Sequence, residues 1–167
     1  MKHRSLPLVL LLLAVACATS CATAPPRIDD VNHVLDDWHK AAANADEARY
    51  FGYAAPEFVF LGTDPSERWD LAAFRNFAHP YFAKGKAWTF VPRDRHIQPS
   101  PREDVAWFDE KLDSASYGEC RGSGVVRYTR DGWKIAEYNL TIPIPNDLAK
   151  TVVQMIRDEA KKSPTPR

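Results

Sequence analysis

This sequence has few cysteines and no excess of charge of either sign. Only three cysteines occur, two of them within the first 21 residues, so the chain lacks a disulfide framework. We interpret the third, Cys120, as a small buried residue of a strand rather than a nucleophile. The 22 basic and 22 acidic residues balance, and no basic stripe or polybasic run occurs. The expected partners therefore do not include nucleic acid.

Motifs for metals, phosphates and covalent catalysis are also missing. His33 and His39 lie in one predicted helix, where their spacing would point them about 240° apart, so they cannot share a metal ion. No Ser-His-Asp order or nucleophile elbow is found. No helix is predicted after Gly122-x-Gly124, so this pair does not resemble a phosphate loop. We predict no metal and no cofactor.

A long apolar run occurs only at the N-terminus. Lys2 and Arg4 precede the apolar segment Leu6–Val15, which is too short to span a bilayer and is followed by small residues. This pattern predicts an export signal over residues 1–21 and a short tether over residues 22–27.

The residues around Cys17 indicate how the exported chain is attached to a membrane. Leu13-Ala14-Val15-Ala16-Cys17 resembles a bacterial lipobox, in which the cysteine becomes the lipidated first residue of the mature protein. We predict lipidation of Cys17, with Cys21 as a weaker candidate and a plain cleavable signal as the alternative. Neither cysteine is followed by aspartate, which resembles the class of lipoproteins sorted to the outer membrane. The expected location is the periplasmic side of that membrane, with contact through the lipid only, or the soluble periplasm.

The remaining chain is long enough for one ordinary domain, which we place at residues 28–162, followed by a frayed tail at 163–167. Apolar residues at helical spacing predict a helix that begins at Asp29 or Asp30 and a second over Glu47–Tyr53. A third is expected to begin after a cap at Asp70 and to kink or break near Pro80.

The strands lie mainly in the second half of the chain. Short strands are predicted at Glu57–Leu61 and Ala87–Gln98, and a meander of three antiparallel strands fills Val105–Asn146. A final helix is expected to begin at a cap on Asn146. Helices followed by an antiparallel meander predict an α+β fold with helices packed on a curved sheet.

The two hairpins of the meander predict its registers. A tight turn at Asp131-Gly132 would set Gly124 opposite Asn139, and a loop over Ser114–Ser116 would set Phe108 opposite Gly122. Because successive side chains of a strand point to opposite sides, these registers give the two faces of the sheet different sets of residues. We expect the helices to cover the face that carries Ala106, Phe108, Glu110, Cys120, Gly122, Gly124, Val126, Tyr128, Ile135, Asn139 and Thr141.

We expect the opposite, outer face to pair with a second copy of the chain. Under the predicted registers it carries an apolar cluster that is larger than a monomer usually exposes. A β-bulge near Ala136-Glu137 would instead move Asn139 and Thr141 to this outer face. The residues of the predicted cluster are Trp107, Val125, Tyr138, Leu140 and Ile142.

Two stretches of the chain resemble a known family. DDVNHVLDDWHKAAANADEARYFGYAAPEFVFLGTDPSERWDLAAFRNF is similar to the opening of SnoaL-like domains, a branch of the nuclear transport factor 2-like superfamily, and GSGVVRYTRDGWKIAEYNLTIPIPN is similar to their closing strands. The resemblance covers about Ile28 to Asp158 and implies a cone-shaped α+β fold. Relatives often carry His-x-Ser in the final strand, where this chain has Asn139 and Thr141. The superfamily includes isomerases, cyclases, hydrolases, ligand binders and dimerisation modules, so fold alone does not assign the function.

The cone-shaped fold would place a pocket between the first helix and the sheet. Gly122 could leave room there for a ligand, or could only allow the sheet to curve. Glu110 is the candidate acid/base, because a carboxylate in an apolar cavity has a raised pKa; the alternative is a strand-end residue that reaches water. The predicted ligand-binding residues are Trp38, Trp88, Phe108, Glu110, Gly122, Asn139 and Thr141.

Three functions fit these features. The leading hypothesis is a lipid-anchored, non-catalytic domain that binds a small apolar molecule. The second is an isomerase or dehydratase in which Glu110 transfers protons. The third is a dimeric interaction module whose cavity is filled by its own side chains.

Overall fold

A computed structural model describes residues 27–162. The predicted signal segment with Cys17 and Cys21, nearly all of the predicted tether and the predicted tail lie outside these residues. The described chain forms helices and strands in the order α1 (Asp29–Ala43), α2 (Glu47–Gly52), β1 (Ala54–Leu61), β2 (Arg68–Asp70), α3 (Leu71–Ala83), β3 (Val91–Pro99), β4 (Val105–Ser114), β5 (Gly118–Thr129), β6 (Gly132–Thr141) and α4 (Ala149–Lys162).

Side chains cap the N-termini of two helices, and one of these caps, Asp70, was predicted. The Asp70 carboxylate accepts a hydrogen bond from the backbone N–H of Ala73 and so caps α3. Asp46 caps α2 in the same way through the N–H of Arg49. No side-chain hydrogen bond caps α1, so the predicted cap at Asp29 or Asp30 is wrong.

Two further expectations concern helix ends. Helix α3 continues through Pro80 to Ala83, so it does not break near the proline. Helix α4 begins at Ala149 and not after a cap at Asn146, which lies in the turn that precedes it.

The strands form one curved, mixed sheet in the order β2-β1-β6-β5-β4-β3. Strands β3 to β6 form an antiparallel series, so the predicted meander is confirmed. Strand β1 lies parallel to β6, and the short β2, which the sequence did not indicate, pairs with β1 in antiparallel orientation. Helices packed on this sheet confirm the predicted α+β, cone-shaped fold.

The predicted registers of the meander are wrong. The partner of Phe108 on β5 differs by two residues from the prediction, and the partner of Gly124 on β6 differs by one. Gly122 lies opposite Glu110, and Gly124 lies opposite Phe108. The second hairpin turns at Arg130-Asp131, with Gly132 at φ 89°, so Gly124 lies opposite Tyr138. The glycine follows the turn rather than forming its second central position, which shifts the pairing.

A β-bulge at Ala136 exchanges the two faces of β6 beyond that residue. The pairing shifts by one residue between Val125 and Val126, so Tyr138 and Leu140 point to the helices. Asn139 and Thr141 therefore lie on the outer face, as the bulge alternative predicts. Their predicted place on the helix-facing side is wrong, and so is the outer position predicted for Tyr138 and Leu140.

The core lies between the helix-facing side of the sheet and helices α1, α2 and α3. Its residues include Leu35, Tyr50, Phe74, Leu112 and Ile135. Cys120 is fully buried, as predicted, opposite Leu112 on β4. Helix α4 contributes no fully buried residue. None of the helices within residues 27–162 has the length and apolar character needed to cross a bilayer.

Candidate functional site

The helix-facing side of the sheet carries one buried carboxylate, Glu110, which is 1% exposed. Its Oε1 atom accepts hydrogen bonds from Nε2 of His39 at 2.7 Å and from the hydroxyl of Tyr138 at 2.9 Å. Its Oε2 atom accepts a hydrogen bond from Nε of Arg95 at 2.7 Å. We call these four residues the Glu110 cluster.

Two irregularities of the sheet aim side chains at Glu110. The bulge at Ala136 turns Tyr138 inward. A second bulge lies in β3 between Arg93 and His96, where Asp94 adopts a positive φ of 49°. This bulge turns Arg95 toward the interior, and its side chain is 8% exposed. The bulge at Ala136 was predicted only as an alternative and the bulge in β3 at Asp94 was not predicted, so Arg95 and Tyr138 are absent from the predicted site.

The Glu110 cluster also ties the sheet to helix α1. His39 projects from the buried side of α1. The Nη1 atom of Arg95 lies 2.8 Å from a carboxylate oxygen of Asp36 and 3.2 Å from Oδ1 of Asn32, both on α1. Arg95 therefore bridges two carboxylates, one buried and one exposed. Its Nη2 atom is buried and lacks a hydrogen-bond partner among the described residues.

The environment of Glu110 favours its ionised form. Burial raises the pKa of the carboxyl, but the hydrogen bond from His39 and the charge of Arg95 outweigh burial and hold the pKa below its ordinary value. The raised pKa predicted for Glu110 is therefore wrong. The prediction assumed an apolar cavity, whereas the guanidinium of Arg95 and two further hydrogen-bond donors, His39 and Tyr138, contact the carboxylate. Burial and the adjacent carboxylate raise the pKa of Tyr138 well above its ordinary value.

The centre of the cone is filled by aromatic side chains. The ring of Trp38 stacks on Tyr50 with 4.7 Å between centroids and lies 4.5 Å from the ring of Tyr138. A Cβ atom at Gly122 would lie 2.1 Å from the Tyr138 hydroxyl. The space that Gly122 leaves is thus occupied by Tyr138, and the interpretation of this glycine as room for a ligand is wrong.

An open pocket lies at another place, beside α3 and the hairpin loop between β4 and β5. It has a volume of about 480 Å³. The polypeptide between α3 and β3 forms one wall, and Leu140 forms part of the floor. We call it the aromatic pocket, because the residues with aromatic rings that line it are Phe60, Trp69, Phe74, Phe77, Tyr81, Trp88, Phe90 and Tyr117.

The rings of the aromatic pocket pack on one another and leave part of their surface open. Trp69 stacks on Phe77 with 4.4 Å between centroids. Phe77 is 40% exposed, Tyr81 47% and Tyr117 54%. Large apolar side chains with this exposure on one concavity are typical of a binding surface.

The structure brings four of the predicted ligand-binding residues together around Tyr138, but in a filled core instead of a pocket: Trp38, Phe108, Glu110 and Gly122. Trp88 lines the aromatic pocket. Phe108 and Trp38 belong to the packed core, and Glu110 lies inside its own cluster of hydrogen bonds. Asn139 and Thr141 lie on the outer face.

The remaining rings of the pocket were missed, although a signal existed for some. Phe74, Phe77 and Tyr81 repeat at helical spacing along one side of the third helix. Only Phe74 of the three is buried. Trp69 lies on β2, which was not predicted, and Tyr117 lies in a hairpin loop.

Over residues 27–162, acidic, histidine and cysteine side chains do not converge on a metal-binding geometry. Within the part of the chain that the structure describes, no group of three or more such residues could hold a metal ion.

The profile of the SnoaL-like domain family matches residues 31–145, most of the described chain. The chain belongs to the SnoaL-like domain family. No curated protein matches this SnoaL-like domain significantly.

Solved structures similar to this SnoaL-like domain share its fold at low identity. A nuclear transport factor 2-like protein of unknown function from Pseudomonas putida has a TM-score of 0.59 at 11% identity, over 71% of this chain and 87% of the other. A proposed dehydratase of the same superfamily from Streptomyces avermitilis has a TM-score of 0.60 at 13% identity, over 71% and 96%. A proposed aromatic ring hydroxylase from Novosphingobium aromaticivorans has a TM-score of 0.56 at 17% identity, over 69% and 87%. At these identities the similarity shows the fold alone.

Proposed function

We propose that this SnoaL-like domain binds a small apolar molecule in the aromatic pocket. The observation that carries the proposal is the set of eight aromatic side chains around an open space of about 480 Å³. Pockets of this volume suit compounds of one to three rings. Burying apolar surface against aromatic side chains supplies the binding free energy, at about 25 cal/mol per Å².

The test uses N-phenyl-1-naphthylamine, a neutral probe whose fluorescence rises in apolar surroundings. We expect it to bind the wild-type domain. Phe77→Ala should weaken binding roughly 10-fold, because it removes a half-exposed ring worth about 1.5 kcal/mol of apolar contact. The matched control is Met155→Ala on α4, since Met155 is 65% exposed and lies outside the pocket.

Three outcomes separate the possibilities. Weaker binding in Phe77→Ala with unchanged binding in Met155→Ala supports the aromatic pocket. Equal binding in all three proteins would move the ligand to another site. No fluorescence rise in the wild type at a high probe concentration would contradict binding of apolar molecules.

We further propose that the domain is exported and carried on a lipid. The support is the charged N-terminus, the apolar run Leu6–Val15 and the lipobox-like residues that end at Cys17. Palmitate labelling in a bacterial host should mark the wild type and be lost in Cys17→Ser. Labelling that survives this change but disappears in Cys21→Ser would assign the lipid to Cys21. Labelling that is absent from the wild type would contradict the anchor.

The enzyme alternative draws support from the similarity to a proposed dehydratase. The geometry of Glu110 does not favour it, because this carboxylate is 1% exposed and does not line the aromatic pocket. If the domain has an isomerase or dehydratase activity that depends on Glu110, Glu110→Gln should lower it at least about 100-fold.

A further inference from the structure

The aromatic pocket has an uneven distribution of charge. Among the described residues that line it, one carries a charge, Glu67, and none is lysine, arginine or histidine. The other polar groups are the hydroxyls of serine, threonine and tyrosine side chains, the indole N–H groups of the two tryptophans, and the backbone. The lining therefore combines a single carboxylate with eight aromatic rings.

The position of Glu67 is fixed by the loop between β1 and β2. Its Oε2 atom accepts a hydrogen bond from the backbone N–H of Asp64 at 3.1 Å. The side chain also packs over Gly62, where a Cβ atom would lie 2.2 Å from Oε2. Any side chain at position 62 would displace the carboxylate, so glycine is needed for its placement. No basic side chain of the described chain lies within ion-pair distance of Glu67 to neutralise it.

Aromatic rings and a carboxylate attract the same kind of ligand. The face of a tryptophan, tyrosine or phenylalanine ring is electrically negative and binds cations, most strongly where water is excluded. The negative charge of Glu67 adds to this attraction. An anionic ligand would be repelled by both the ring faces and the carboxylate, with no basic side chain in the lining to offset this. A neutral ligand would use the rings only as apolar surface and would leave the charge of Glu67 without a partner.

We propose that the ligand of the aromatic pocket is a small organic cation, a quaternary or protonated amine on an apolar body. The inference rests on the proposed function and narrows it to one chemical class. The apolar body packs against the rings of Trp69 and Trp88, and the cationic group lies toward Glu67. The carboxylate and the ring faces replace the water that such a cation loses on binding.

The test compares two probes of nearly equal shape that differ in charge. Trimethylphenylammonium carries a positive charge, and tert-butylbenzene is its neutral carbon counterpart. Binding is followed by NMR through the indole N–H signals of Trp69 and Trp88, which are assigned with the Trp69→Phe and Trp88→Phe variants. We expect the wild type to bind the cation about 10-fold more tightly than the neutral probe.

The role of the carboxylate is tested with Glu67→Gln, which keeps the shape and an acceptor for the Asp64 N–H. We expect the affinity for trimethylphenylammonium to fall about 10-fold and that for tert-butylbenzene to stay unchanged. The control is Glu119→Gln, because Glu119 is an exposed carboxylate outside the pocket that pairs with Arg93. This variant should bind both probes as the wild type does.

The comparison of the two probes on the wild type needs no variant and decides the inference by itself. Equal affinities, or tighter binding of tert-butylbenzene, would overturn the cationic ligand and leave the proposed apolar site intact. Failure of both probes and of N-phenyl-1-naphthylamine to bind would instead contradict the proposed function. A loss of cation binding in Glu67→Gln and in Glu119→Gln alike would show that Glu67 has no special role.

Discussion

The hydroxyl of Tyr138 occupies the space beside Gly122 that a side chain would otherwise fill. A Cβ atom at position 122 would lie 2.1 Å from this hydroxyl and 3.1 Å from Cγ of Glu110. The same hydroxyl donates a hydrogen bond to Glu110. The glycine therefore admits a core tyrosine to a buried carboxylate and takes no part in binding a ligand.

A side chain at position 122 should destabilise the fold without changing the pocket. We expect Gly122→Ala to lower the free energy of unfolding by about 1–3 kcal/mol, as overpacking of a well-filled core does. Urea denaturation followed by circular dichroism measures the effect. Binding of N-phenyl-1-naphthylamine to the folded variant should stay within error of wild type, because Gly122 does not line the aromatic pocket.

The control for this prediction is Gly52→Ala at the end of α2. A Cβ atom at Gly52 would meet no atom within 4 Å. We expect this change to be neutral or to stabilise by up to about 1 kcal/mol, because it lowers the entropy of the unfolded chain. Equal effects of the two alanines would contradict the role assigned to the Tyr138 hydroxyl.

Neutralising Glu110 should lower the free energy of unfolding by a large amount at neutral pH. Glu110→Gln leaves the buried guanidinium of Arg95 with only the exposed carboxylate of Asp36 as a counter-ion. Removing one partner of a buried ion pair costs about 3–5 kcal/mol, and we expect a loss near the lower end at pH 7. The control is Glu119→Gln, whose pair with Arg93 is exposed and screened by water, so its loss should change the stability much less than the loss of Glu110.

The cost of Glu110→Gln should depend on pH. The folded protein holds the pKa of Glu110 below its ordinary value of 4.5. Ionised Glu110 therefore contributes stability that is fully present above about pH 4.5 and is lost as the pH falls through the folded-state pKa. Urea denaturation at a series of pH values should show the wild type and Glu110→Gln converging in acid. A difference that stays constant from pH 7 to pH 3 would mean that Glu110 does not titrate as described.

The predicted dimer now depends on a smaller surface than the sequence indicated. With Tyr138 and Leu140 turned inward, the outer face retains Trp107, which is 51% exposed, and the half-buried Val125, while Ile142 lies beyond the end of β6. We propose that this face pairs with a second copy. Trp107→Asp should then give a folded monomer by light scattering at tens of micromolar, with circular dichroism like that of wild type.

The comparison variant for the dimer is Leu140→Asp. Leu140 is 8% exposed on the helix-facing side, so a carboxylate there should unfold the protein rather than dissociate it. A wild-type domain that already runs as a monomer would contradict the dimer. A folded Leu140→Asp monomer would contradict the inward position of this residue.

Local signals in the sequence were enough to predict every helix and strand of the described residues except the short β2. The aspartate cap of α3, the apolar periodicity of α1 and the alternation in β4 each follow from interactions within a few residues. The registers could not be predicted in this way, because the loop between β4 and β5 lies one residue later than expected, Gly132 follows its turn, and the bulge at Ala136 shifts β6. A shift of one residue exchanges the faces of a strand, which moved Tyr138 inward and Asn139 outward.

The sites were harder to predict than the fold, for a related reason. Glu110 was placed on the correct face, but its pKa depends on Arg95, which a bulge brings inward from β3. The aromatic pocket joins Trp69, Trp88 and Tyr117 from three separate segments. Periodicity describes one segment at a time, so it identified the aromatic stripe of α3 without indicating that part of it stays exposed.

Cys120 gives the molecule a built-in reporter of core opening. Its thiol is fully buried on the helix-facing side of the sheet, opposite Leu112, and burial raises its pKa. A thiol reagent dissolved in water can react only after the packing around this side chain opens, so the labelling rate measures how often this part of the core opens. In an oxidising compartment, where export would place the chain, the same burial would protect this cysteine from mispairing as long as this part of the core stays closed.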